Sequence, residues 1–84
     1  MELGKVIAEA SMAALAKVAS IRGIASSEAG PLTEALRQVL REDAMSILDA
    51  LKDAAFMGEA MSRAVLNAEC MTAAIKAVDL YQAS

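Results

Sequence analysis

Cys70 carries the most reactive side chain in this 84-residue sequence, and it is the single cysteine. A thiol becomes a nucleophile or a redox switch when a base, a cation or a helix N-terminus favours its thiolate. Its helical neighbours Leu66, Ala73, Ala74 and Ala77 are apolar. That setting describes a small buried hydrophobe rather than an activated group. One cysteine cannot close an internal disulfide, so the sequence does not call for an oxidising compartment.

The other chemistry-bearing residues are carboxylates. There is no histidine, which removes the commonest general base and metal ligand. The close acidic pairs are Asp49 with Asp53, one helical turn apart, and Glu42 beside Asp43. Helix-borne di-metal centres combine glutamates with an E-x-x-H motif, which cannot occur here. A glycine-rich phosphate loop, a dinucleotide fingerprint and a serine elbow are all missing from the sequence. The residues therefore predict no catalytic site, no metal site and no cofactor, and a protein that is not an enzyme.

Charge and composition narrow the partners. The net charge is −3, the eight lysines and arginines form no stripe, and Phe56 and Tyr81 are the only aromatics. Nucleic-acid binding needs a basic surface and favours stacking platforms, so none is expected. Glu9, Lys17 and Arg22 interrupt the most apolar stretch, so stable membrane insertion is not expected either. The N-terminal residues lack the pattern of a cleaved signal peptide, which places the protein in the cytoplasm or has it exported without one.

These residues must sit on helices. Alanine accounts for 20 positions, methionine for six and aromatic residues for only two, a composition that favours close-packed helices over strands. The fold class predicted is all-α, a single helical domain over 1–84. Turn chemistry concentrates between Gly23 and Pro31, the only proline. Arg22 suits a last helical turn, Gly23 the left-handed position after it, and Ile24 the apolar contact such caps make. Pro31 suits the first position of the next helix, with Glu28 and Glu34 at its positive end. The expected layout is a helical hairpin, with a first helix over 2–22, a turn over 23–30 and a second helix over 31–82.

The length of that second helix rests on a repeat. From Leu36 to Gln82, steps of four and three alternate without a slip, and twelve of the fourteen positions reached are apolar. A 3.5-residue period marks a helix that supercoils against neighbours. Gly58 is the weak point, costing about 1 kcal/mol in a helix interior. A break there converts the hairpin into a three-helix bundle. Unbroken, the second helix outruns the first, and its half from Met57 to Val78 needs cover from another chain.

A second pattern does not depend on continuity. Met57, Met61, Ala64, Ala68, Met71 and Ile75 project from one side of the C-terminal segment, while Leu66, Cys70, Ala73, Ala77 and Leu80 project from the opposite side. A helix apolar on opposed faces needs neighbours on both. With Val78 on the seam, these positions form the predicted interface. Residues 32 to 53 are ordinarily amphipathic, with Glu34, Arg37, Gln38, Arg41, Glu42, Asp49, Lys52 and Asp53 on the wet side. Asp43 falls inside their apolar arc, and is the candidate for fixing register or partner by meeting a cation such as Lys17.

The sequence thus predicts a structural subunit that self-associates by coiled-coil-like packing into an oligomer or filament. A rival reading is an adaptor or chaperone that holds an amphipathic helix of a client protein. In length and layout, a short helical hairpin with a proline-containing turn, the chain resembles the needle and inner-rod subunits of type III secretion systems. That resemblance implies assembly with copies of itself. The single proline at Gly30-Pro31 departs from the two-proline turn of needle subunits.

Overall fold

A computed structural model describes residues 3–83. Helix α1 spans Leu3–Ile21, a short 3-10 turn spans Ser26–Glu28, α2 spans Ala29–Ala55 and α3 spans Glu59–Ala83. The all-α reading holds. The long second helix does not form as one piece, because the chain turns at Phe56-Met57-Gly58 and α3 folds back on the other two helices.

Local chemistry explains both joints. After α1, the Ile24 N–H reaches the Ala19 carbonyl at 2.9 Å and the Gly23 N–H reaches Ser20 at 3.1 Å. This is the Schellman arrangement, and it requires Gly23 at φ +68, a conformation other residues avoid. Ile24 then packs on the core beside Ala19. The second helix begins at Ala29, earlier than the proline suggested. Pro31 is its third residue, still within the first turn, where a missing N–H costs no helical hydrogen bond.

At the second joint the hydrogen bonds tighten to three-residue spacing, with Met57 N–H donating to the Ala54 carbonyl at 2.9 Å. Gly58 leaves helical space at φ +103. The repeat-based expectation of a continuous helix failed because it weighed only local terms. Breaking a helix at glycine costs little, whereas folding α3 back buries Cys70, Ala73, Ala74, Ala77 and Val78, each at most 2% exposed. Glycine's helix penalty of about 1 kcal/mol already disfavours a continuous helix at residue 58, and burial at roughly 25 cal/mol per Å² acts on the same side.

The bundle runs up, down, up. It measures 40 × 22 × 21 Å, and its long dimension is about what a helix the length of α2 spans at ~1.5 Å per residue. Helix α3 packs against both others, while α1 and α2 meet at few places. The core has two parts. Leu15 and Val18 of α1, Leu32, Leu36 and Val39 of α2, and the α3 alanines with Val78 form one. Ile7, Ile47, Leu51 and Cys70 form the other, toward the opposite end. Alanines on α3 let the neighbouring backbones approach closely. The charged side of α2 is exposed at every position from Glu34 to Asp53 predicted to be wet.

Candidate interaction surface

The two apolar sides of α3 have different fates. Cys70, Ala73, Ala77 and Val78 are buried inside the chain, with Leu66 and Met71 partly covered. The opposite side faces solvent. Met61 is 44% exposed, Ile75 38% and Met57, at the joint, 73%, and Ala64 and Ala68 between them are also exposed. Phe56 next to Met57 is 91% exposed. Of the predicted interface residues, Met57, Met61, Ala64, Ala68 and Ile75 are thus open to another chain, and the others serve the chain's own core. Leu80 lies at the margin, 40% exposed.

Ion pairs fix α3 in place. The Lys76 ammonium donates to the Asp43 carboxylate at 2.6 Å, joining α3 to α2. Asp43 sits at the edge of the core with its side chain 30% exposed. The expected register residue therefore does meet a cation, but one on α3, whereas Lys17 lies exposed on α1. The hydrogen bond that Lys76 donates to Asp43, and then the carboxylate's negative charge, hold the Lys76 ammonium above its ordinary pKa of 10.5. Within the next turn of α3, Arg22, just past α1, donates to Asp79 and to Gln82, the latter at 3.1 Å. Sequence spacing could not show these pairs, because each links residues brought together only by the turn at Gly58.

Cys70 has the setting its neighbours implied. It is 1% exposed, and its Sγ lies 3.6 Å from the Ile7 carbonyl oxygen, the acceptor available to the thiol. Ser11, on the same buried stripe of α1, is fully enclosed, and its Oγ has no hydrogen-bond partner among the described residues. The clefts offer little chemistry. One of about 380 Å³ between α1 and the start of α2 is walled by Met12, Leu15, Ile24 and Leu32, with the hydroxyls of Ser20, Ser26 and Thr33 and no ionisable group. Another of about 290 Å³ between α1 and α3 has Lys17 and Asn67 at its polar side and Cys70 and Met71 in its wall. Among the described residues, no three cysteine or acidic side chains come together as a metal site would need. None of the described helices is long and apolar enough to cross a membrane. Comparison with family models, curated proteins and solved structures gives no match to this chain.

Proposed function

We propose that the chain is a non-enzymatic structural subunit that associates with copies of itself through the outward side of α3. One observation carries this reading. Helix α3 is apolar on opposed sides, its inner side satisfies the bundle, and the side centred on Met61, Ala64, Ala68 and Ile75 still lies in water with no charged residue along its middle. An 84-residue, alanine-rich bundle has little stability to spare, so exposed apolar area of this kind favours an assembly that covers it. The small residues at 64 and 68 let a second helix come close, and the larger ones at 61 and 75 supply contact area.

Sedimentation or light scattering over a concentration series tests the proposal. The purified chain should grow in mass with concentration, and Met61→Glu with Ile75→Glu should abolish the growth without lowering thermal stability. A chain that stays single at millimolar concentration would end the self-association reading, and growth only on adding a client helix would favour an adaptor. Growth unaffected by the two substitutions would move the contact elsewhere on the surface.

A further inference from the structure

Helix α3 packs on both α1 and α2, which scarcely meet each other. Helices placed so are three corners of a four-helix square, in which diagonal helices stay apart, and the side opposite α3 is open. Two clefts lie on that side, and no α3 residue lines either. The one of about 380 Å³ is toward the first joint. The other, of about 190 Å³, is walled by Gly4 and Ala8 of α1 and by Leu40, Ala44 and Leu48 of α2. Core residues form the floors, Leu15 and Leu32 in one and Ile7 and Ile47 in the other, each at most 8% exposed. On α1 the walls are one strip, since Gly4, Ala8, Met12, Ala16 and Ser20 follow at steps of four and each lines one cleft or the other. The clefts are therefore the ends of a single groove about 24 Å long. Neither has an ionisable residue in its walls. Between them, on α2, Arg37 lies one turn past Thr33 of the first cleft and two turns before Ala44 of the second. Its side chain is 66% exposed and makes one 3.3 Å hydrogen bond, to Glu34. Arg41, a turn further on, has no ion-pair partner among the described residues.

We propose that this groove receives an amphipathic helix of another protein, about 16 residues long, with its apolar stripe on the groove floor and a carboxylate at mid-length against Arg37 and Arg41. The shape selects a helix. A row of small side chains at four-residue spacing is a depression into which the ridge of a packing helix fits at close approach. The arginines select the charge. A stripe apolar along its whole length would set hydrocarbon against guanidinium at the middle of the groove, whereas a carboxylate there takes the place of Glu34 in a charge-assisted pair. The chain's net charge of −3 opposes an acidic partner at long range, so these two cations act by contact. A second copy does not supply such a helix. The outward side of α3 has no charged residue along its middle to set against Arg37, and two copies meeting groove to groove about a two-fold axis bring arginines toward arginines. Occupation of this groove neither requires nor prevents association through the outward side of α3.

The probe is a fluorescein-labelled synthetic helix of about 18 residues, with leucines at steps of three and four along one side, a glutamate at the middle of that side, and glutamine and alanine elsewhere. A matched peptide carries lysine in place of the glutamate. Anisotropy titrations should show the glutamate peptide bound more tightly than the lysine peptide by roughly tenfold, and Arg37→Glu should reverse that preference. Met12→Glu and Ala44→Glu, at exposed positions on opposite walls, should each weaken both peptides by more than about tenfold, because an unpaired carboxylate then meets the apolar stripe. Either variant serves if the other fails to fold. Amide shifts on adding the glutamate peptide should gather on residues 4–20 and 33–48. No binding at millimolar peptide overturns the proposal, as do equal affinities for the two peptides, indifference to both wall variants, or shifts centred on residues 61–75. If the chain alone grows in mass through a contact that Met12→Glu abolishes, the groove belongs to a second copy and the foreign helix is refuted.

Discussion

Ala77→Leu and Ala68→Leu form a matched pair that tests which side of α3 closes the bundle. Both place the same three extra heavy atoms on the same helix, nine residues apart. Ala77 is 0% exposed and lies in the core with Leu36, Val39 and Val78, whereas Ala68 is exposed. Inserting that volume into a filled interior costs about 1–3 kcal/mol through displaced rotamers and backbone. A bundle of this size has a total stability of roughly 4–13 kcal/mol, and each kcal/mol corresponds to about 4–8 °C in Tm. Ala77→Leu should therefore melt about 4–24 °C lower, the range those figures span. Ala68→Leu should remain within about 0.5 kcal/mol of the natural chain, and at high concentration it should promote assembly by enlarging the exposed side. Urea and thermal unfolding followed by circular dichroism, on dilute samples, provide the measurement. Equal losses for the two variants, or a larger loss at residue 68, would refute the packing described for α3.

Three further predictions follow from the interior and its ties. Ser11→Ala should stabilise the bundle by about 1 kcal/mol, because it removes a buried hydroxyl that has no partner among the described residues; a loss in urea melts would show that the hydroxyl is hydrogen-bonded. The Lys76 ammonium is held above its ordinary pKa of 10.5 by Asp43, so its stabilisation is complete below about pH 10.5 and is lost as pH rises through the folded value. Lys76→Met should flatten that alkaline decline, and an unchanged pH profile would count against the pairing. Cys70, 1% exposed, should react with a thiol reagent only as fast as the bundle opens, so labelling at native concentration that proceeds at the rate of a free thiol would contradict its burial.

The residues announced some of this and concealed the rest for physical reasons. The first joint was legible because Gly23, Ile24 and the nearby proline act within a few residues of one another. Pro31 misplaced the start of α2 by two residues, since any of the first-turn positions tolerates a missing N–H. The second joint was hidden by a repeat that runs through it unbroken. What decides it is the burial of Cys70, Ala73 and Ala77 against distant helices, a tertiary quantity that periodicity does not contain. Asp43 stood out correctly as an acid inside an apolar arc, yet its partner could be named only once α3 had turned back. The opposed apolar sides of α3 were visible from the start, and the fold shows which of them the chain keeps for itself.

Because α3 touches both other helices while α1 and α2 scarcely touch each other, the first two behave as walls without a wedge until the third arrives. On a ribosome, everything up to Ala55 emerges before the helix that supplies most of the cover for its greasy stripes. Helical structure can flicker there, but cooperative closure waits for the segment around Val78 to leave the exit tunnel. Shortening the chain from that side should therefore cause an abrupt collapse of order rather than a gradual one.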